Sequence, residues 1–246
     1  MGMVLLYRQI SFDTASLRMK GHPQATFFEA DSRYIDGSTR ITNFSERELV
    51  RWLMLFAPAR QMLFEELGRN GAAFYRPEVV EPFYSPGQGD IDLVMCHLSA
   101  PHQSVAVECK RVKVAISDPE NDQLNKLENI RGGVVQANRL YSRFGFFQTC
   151  LGVVTAVEAS EQLDTNIPNR GVRSSSTPDF GDTKTFKRIV EFPGRDELNA
   201  AIGIIFIEIV QPSLVSIDRR ATIRVCVHHP PAPRTQTTDG RTVWRC

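Results

Sequence analysis

The run TCLGVVTAV, residues 149–157, carries no charge and only threonine among polar side chains. Side chains alternate across a strand, so a strand without a polar stripe is covered on both faces and belongs inside a sheet. The run AIGIIFIEIV, 201–210, points the same way. It is about half the length needed to cross a bilayer and contains Glu208, so it too is expected as a buried strand. Strands buried on both faces need helices above and below them. The expected fold class is therefore α/β, a single domain with a central mixed β-sheet flanked by helices and extra β-structure at both ends.

The helices can be placed. Ser45 followed by Glu48 is a capping-box pattern, which predicts a helix start. Pro58 should kink or restart that helix, and Gly68 and Gly71 should end it. A second helix is expected within 124–143, where Leu127, Ile130, Val134, Ala137 and Tyr141 recur at helical spacing. Gly132-Gly133 weakens it, each glycine costing about 1 kcal/mol against alanine. Between the helices, AAFYRPEVV, GDIDLVMCHL and QSVAVECKRVKV read as strands. Residues 158–183 are polar and loop-like. TFKRIVEF, a short helix near 195–201 and a last strand, ATIRVCV, surround the buried run at 201–210. The expected organisation is an N-terminal β-rich extension at 1–44, the domain at 45–229, and a flexible tail at 230–246.

Composition excludes several classes. With 246 residues, 42% hydrophobic and 23% charged, the chain has the balance of a soluble globular protein large enough to bury a core. Its five cysteines are odd in number and form no CxxC pair, which favours a reducing, cytoplasmic compartment. The start MGMVLLYRQI has no basic n-region, so no secretory signal and no membrane partner are expected. The net charge is only +1, but residues 214–246 hold six arginines against two aspartates.

The chemistry lies in "GQGDIDLVMCHLSAPHQSVAVECKR", residues 87–111. Asp90 and Asp92 share one face of the first strand, and Glu108 and Lys110 share one face of the second. If the strands pair through a hairpin spanning roughly 98–104, Asp92 and Glu108 stand side by side at the inter-strand spacing of about 4.8 Å. Two carboxylates so placed repel unless a cation or proton compensates, and such hard oxygen ligands suit magnesium or manganese. Lys110 can reach the same place and stabilise charge developing on a phosphorus-bound oxygen. These are the parts of metal-assisted phosphodiester hydrolysis. No histidine offers a better ligand set, and there is no glycine-rich phosphate loop.

The order of helix, strand with interior aspartate, strand with Glu-x-Lys, helix and dry strand resembles the PD-(D/E)xK nuclease superfamily, the restriction-endonuclease-like fold with its αβββαβ core. The resemblance covers residues 45–157 and rests on GDIDLV and VAVECKR. Ile91 stands where the family has proline, as in members with a G-[DE]-I-D-L pattern. The resemblance implies a magnesium-dependent deoxyribonuclease, more an endonuclease than an exonuclease. By it Asp92, Glu108 and Lys110 are catalytic, and Asp92, Glu108 and the Cys109 carbonyl hold Mg2+ (or Mn2+). Many members add a glutamate on the first helix; Glu65 and Glu66 are candidates here, with Glu66 preferred and Glu48 already explained by capping. Asp90 and Gln136 are further accessory candidates. Lys113, Arg131, Arg139, Arg143 and the C-terminal arginines could contact DNA phosphates. The implied partners are DNA and, if the chain is a toxin domain, an immunity protein; a homodimer is compatible. The alternatives are a nuclease-fold binding module without catalysis and a DNase toxin domain. Three intact charges on one face argue against the first.

Overall fold

The computed structural model describes residues 7–13, 44–55, 57–69, 74–80, 90–97, 99–115, 123–125, 127–159, 171–173, 189–212 and 220–235. In chain order the elements are β1 (Tyr7–Asp13), α1 (Glu46–Leu55), α2 (Ala57–Glu66), β2 (Phe74–Val80), β3 (Asp90–His97), β4 (Ala100–Ala115), β5 (Gln123–Asn125), α3 (Asn129–Phe144), β6 (Gln148–Ala159), β7 (Gly171–Arg173), β8 (Gly203–Pro212) and β9 (Arg220–His229). A single 3-10 turn covers Arg195–Glu197.

The strands form one mixed sheet in the order β2-β3-β4-β6-β8-β9-β1-β7, with β5 pairing to the far end of β4. The β4–β6 and β6–β8 pairs are parallel; the others are antiparallel. The two runs read as dry are the inner strands β6 and β8. The class is α/β, as the sequence leads one to expect.

Both faces of the sheet are covered. On one, α1 and α2 pack Leu49, Trp52, Leu53, Met62 and Leu63 against Leu93, Met95, Val107, Cys109, Ile205 and Ile207. On the other, α3 packs Ile130, Val134 and Ala137 with Leu151, Val153 and Phe206, and Ile189, Val190 and Phe192 complete that layer. The odd and even residues of β4 thus serve different layers, as strand alternation requires.

The capping box forms. Ser45 N–H donates to Glu48 Oε2 at 2.6 Å, and Glu48 N–H donates to Ser45 Oγ at 3.3 Å. The predicted kink becomes a break between two helices. Pro58 falls in the first turn of α2, where its missing N–H costs no helical bond. Arg60 donates to the Met54 carbonyl, satisfying one of the acceptors left open at the end of α1. Gly68 ends α2 with φ 67°, a conformation costly for residues with a Cβ.

Three expectations change. The loop predicted at 98–104 shrinks, because β3 ends at His97 and β4 starts at Ala100; Pro101 and His102 read as loop yet lie in the strand. The described part of the N-terminal β-rich extension, β1, belongs to the domain's own sheet, where it pairs with β9. The tail does not loosen at 230. Pro231 packs on Gly203, where an added Cβ would lie 2.7 Å from its ring. Ala232 N–H donates to Ala201 O, and Arg234 N–H to Phe147 O. The Arg234 guanidinium lies 3.7 Å from the Tyr141 ring centroid and donates to the Tyr141 carbonyl. Arg234, expected as a phosphate contact, thus straps residues 231–235 across α3 and β6. Arg241 and Arg245 lie outside the described residues, as does most of the polar stretch at 158–183.

Candidate functional site

Strand β4 outlasts its neighbour. Its pairing with β3 runs from Ala100 to Val107, and its pairing with β5 takes in Lys113 to Ala115. Between these, the N–H groups of Cys109 and Arg111 face the same edge, and carboxylates meet both. Asp92 Oδ2 accepts from Cys109 N–H at 2.7 Å, and Glu46 Oε2 accepts from Arg111 N–H at 2.8 Å. The site is built into this gap in the sheet.

Glu108 and Lys110 complete it from the α3-facing side of β4. Lys110 Nζ donates to Glu108 Oε1 at 2.8 Å, to Glu46 Oε1 at 3.0 Å and to the Cys109 carbonyl at 3.0 Å. Glu108 is only 2% exposed and Lys110 9%, whereas the Glu46 side chain is 33% exposed and Asp92 half-buried. Solvent reaches the cluster from the Glu46 and Asp92 side. Three carboxylates and one ammonium leave the cluster with excess negative charge.

The electrostatics follow. Burial and the Asp92 carboxylate push the Glu108 carboxyl up to about 8, against the pull of Lys110. Burial works against the Lys110 ammonium, but Glu108, Glu46 and Asp92 outweigh it and hold its pKa above the ordinary lysine value. Burial, with Asp92 and Glu108, pushes the Cys109 thiol well up. That thiol packs in the α1 layer, so Cys109 meets the cluster through its backbone, the N–H at Asp92 and the carbonyl at Lys110.

Helix α3 explains its own glycines. A Cβ on Gly133 would lie 2.4 Å from Lys110 Cγ and 3.0 Å from Leu151 Cδ1, while a Cβ on Gly132 meets nothing within 4 Å. Gly133 lets the helix close over the lysine stem and fix its direction. Gly133→Ala is therefore expected to displace Lys110 and to lower any activity that depends on it by about tenfold or more, the scale of catalytic misplacement. Gly132→Ala should leave activity alone and raise stability by up to about 1 kcal/mol. Thermal melts and activity measured side by side on the two variants check this. Equal behaviour would mean that Gly133 does not position the lysine.

The other sequence candidates separate. Asp90 is exposed at the mouth of β3, opposite Val80. Gln136 is half-buried one turn beyond Gly133 on α3, outside the hydrogen-bonded cluster. Glu65 accepts from Gln61 Nε2 on α2. Glu66 raises the Cys226 pKa on β9, which lies three strands from β4. The accessory glutamate of the cluster is instead Glu46, the first residue of α1, which the sequence reading passes over. Arg143 is exposed and Arg139 half-buried on α3. Arg131, on another flank of that helix, is paired with Glu197 at 2.6 Å. Only the backbone of Lys113 is described, paired to Asn125.

Among the described residues no three His, Cys, Asp or Glu side chains converge as a ready metal cage. The donor set nevertheless fits a hard divalent cation. Glu108 Oε1, the Cys109 carbonyl and Glu46 Oε1 already surround one positive charge, the Lys110 ammonium. Among the described residues no helix is long and apolar enough to cross a membrane. Cys96, Cys109, Cys150 and Cys226 are buried free thiols. No family model, curated protein or solved structure matches this chain.

Proposed function

We propose that the chain is a metal-dependent nuclease of the PD-(D/E)xK kind that hydrolyses DNA phosphodiester bonds, acting within strands. The observation that carries this reading is the cluster along one gap of β4, where Lys110 bonds Glu108 and Glu46 and Asp92 holds the Cys109 N–H between them. The succession α1/α2, β2, β3, β4, α3, β6 supports it: apart from the three-residue β5 between β4 and α3, it follows the αβββαβ order of that superfamily. Asp92, Glu108 and the Cys109 carbonyl would hold magnesium or manganese. The ion would polarise the scissile phosphate and lower the pKa of a bound water.

The chain's own groups do the rest. The Lys110 ammonium, held charged by its carboxylate neighbours, stabilises negative charge growing on the phosphate oxygens. Glu46 anchors both that ammonium and the β4 edge through its two oxygens. Gly133 lets α3 close on the lysine stem. Arg139 and Arg143 on α3 are the candidate contacts to the DNA backbone, contacts that position without reading sequence.

The test is incubation of the purified protein with supercoiled plasmid, linear DNA and RNA, with magnesium or with chelator. Nicking and linearisation of the plasmid in magnesium alone is the expected result. Lys110→Ala should lower that rate by about 10²–10³, the usual cost of removing one preorganised charge-stabilising group. Wild-type turnover in that variant would sink the assignment of Lys110. Absence of cleavage of any substrate, with metal binding retained, would turn the reading toward a binding module.

A further inference from the structure

Lys110 Nζ is held by three oxygens, and two of them, Glu108 Oε1 and the Cys109 carbonyl, belong to residues that the nuclease reading gives to the metal. We propose that Lys110 is a tethered counter-cation: its ammonium and the divalent ion compete for these two oxygens, so that metal loading frees the ammonium for the substrate phosphate. The inference rests on the nuclease reading and adds to it a coupling between metal loading and the readiness of the lysine.

Three observations support it. Glu108 is almost fully buried, and when its carboxyl is ionised it needs a compensating cation close by. The lysine supplies one from the next residue but one. Second, two cations drawn to the same buried oxygens repel each other strongly, so the arrival of one weakens the hold of the other. Third, Glu46 Oε1 gives the displaced ammonium somewhere to stay. It binds Nζ at 3.0 Å from the solvent-reached side of the cluster. Helix α3 closes on the Lys110 stem at Gly133, so the exchange moves the ammonium end and not the whole side chain. The consequence is order: without a metal the lysine neutralises Glu108, and with one it faces outward.

The test uses the full chain without DNA. Magnesium affinity is measured by calorimetry for the wild type, Lys110→Met and Asp92→Asn. In parallel, acetylation of Lys110 by N-hydroxysuccinimidyl acetate is followed by mass spectrometry with and without magnesium. Lys110→Met is expected to bind magnesium roughly tenfold more tightly, since a competing charge is gone. Wild-type Lys110 should acetylate several-fold faster once magnesium is added. If Lys110→Met does not fold, the acetylation rate of the wild type decides alone. Unchanged or weaker affinity in Lys110→Met, with no gain in acetylation and with binding still dependent on Asp92, overturns the counter-cation and leaves the nuclease reading standing. No magnesium or manganese binding by any of the three proteins overturns both.

Discussion

Asp92→Asn is expected to lower magnesium-dependent cleavage by several orders of magnitude, while Asp90→Asn keeps measurable activity. Both aspartates open β3, but their surroundings differ. Asp92 Oδ2 holds the Cys109 N–H, the residue between Glu108 and Lys110, so its carboxylate is fixed against the other acids. Asparagine keeps an oxygen that can accept that hydrogen bond, so the sheet edge should survive and the loss should be one of charge. A neutral amide is a far poorer ligand for magnesium than a carboxylate. Asp90 stands one same-face step away, about 6.6–6.8 Å along the strand, and is exposed to water. On the nuclease proposal, one ion held against Glu108 would therefore be served by Asp92. Plasmid cleavage rates across a magnesium titration, with thermal melts to establish folding, measure both variants. An active Asp92→Asn enzyme beside an inactive Asp90→Asn one would show that the wrong aspartate has been assigned.

Much of this site is legible in the amino-acid sequence, for identifiable reasons. Strand alternation puts Glu108 and Lys110 on one face whatever the rest of the fold does. Asp92, between Ile91 and Leu93, is conspicuous because a carboxylate inside an apolar run is costly. Glu46 is not legible. An acid in the first turn of a helix is the ordinary complement of the helix dipole, and its sequence neighbours give no other reason for it. Its role arises from the gap between β3 and β5, and a gap is a property of sheet pairing that no local pattern records. The capping box is the nearest clue, since it fixes where α1 starts and so where Glu46 points.

Two further misses have the same origin. The proline-rich segment after His229 has the composition of a loose end, but Gly203 leaves room for Pro231 and the Tyr141 ring takes the Arg234 guanidinium. Those contacts join residues far apart in the chain. Gly132-Gly133 counts against a helix by propensity, yet Gly133 is where α3 must approach β4 most closely. In both cases tertiary packing decides the role of a residue whose local preference suggests something else.

Glu108→Gln should abolish cleavage and, at alkaline pH, make the protein more stable than the wild type. The Glu108 carboxyl is raised from an ordinary 4.5 to about 8, first by burial and then by Asp92. The folded chain therefore binds this proton more tightly than the unfolded chain does. Between pH 4.5 and 8 the folded state holds more protons, so stability falls as pH rises, by at most about 1.4 kcal/mol per unit. The pull of Lys110 is already contained in that value, and the lysine, its pKa held above the usual lysine range, keeps its own proton through the whole window. Glutamine has nearly the same shape and no charge to bury, and the Lys110 ammonium retains Glu46 and the Cys109 carbonyl. Wild type and variant should thus melt alike near pH 5, diverge as pH rises, and differ by about 1–3 kcal/mol above pH 8, within the range seen when buried ion pairs are replaced. If Glu108 were a structural partner of Lys110, removing it should instead cost about 3–5 kcal/mol. Denaturant melts of the two proteins at pH 5, 7 and 9 distinguish these outcomes. A variant less stable than wild type at pH 9 would make the pair part of the scaffold; a more stable but inactive one would show a charge kept at the expense of the fold for the chemistry it serves.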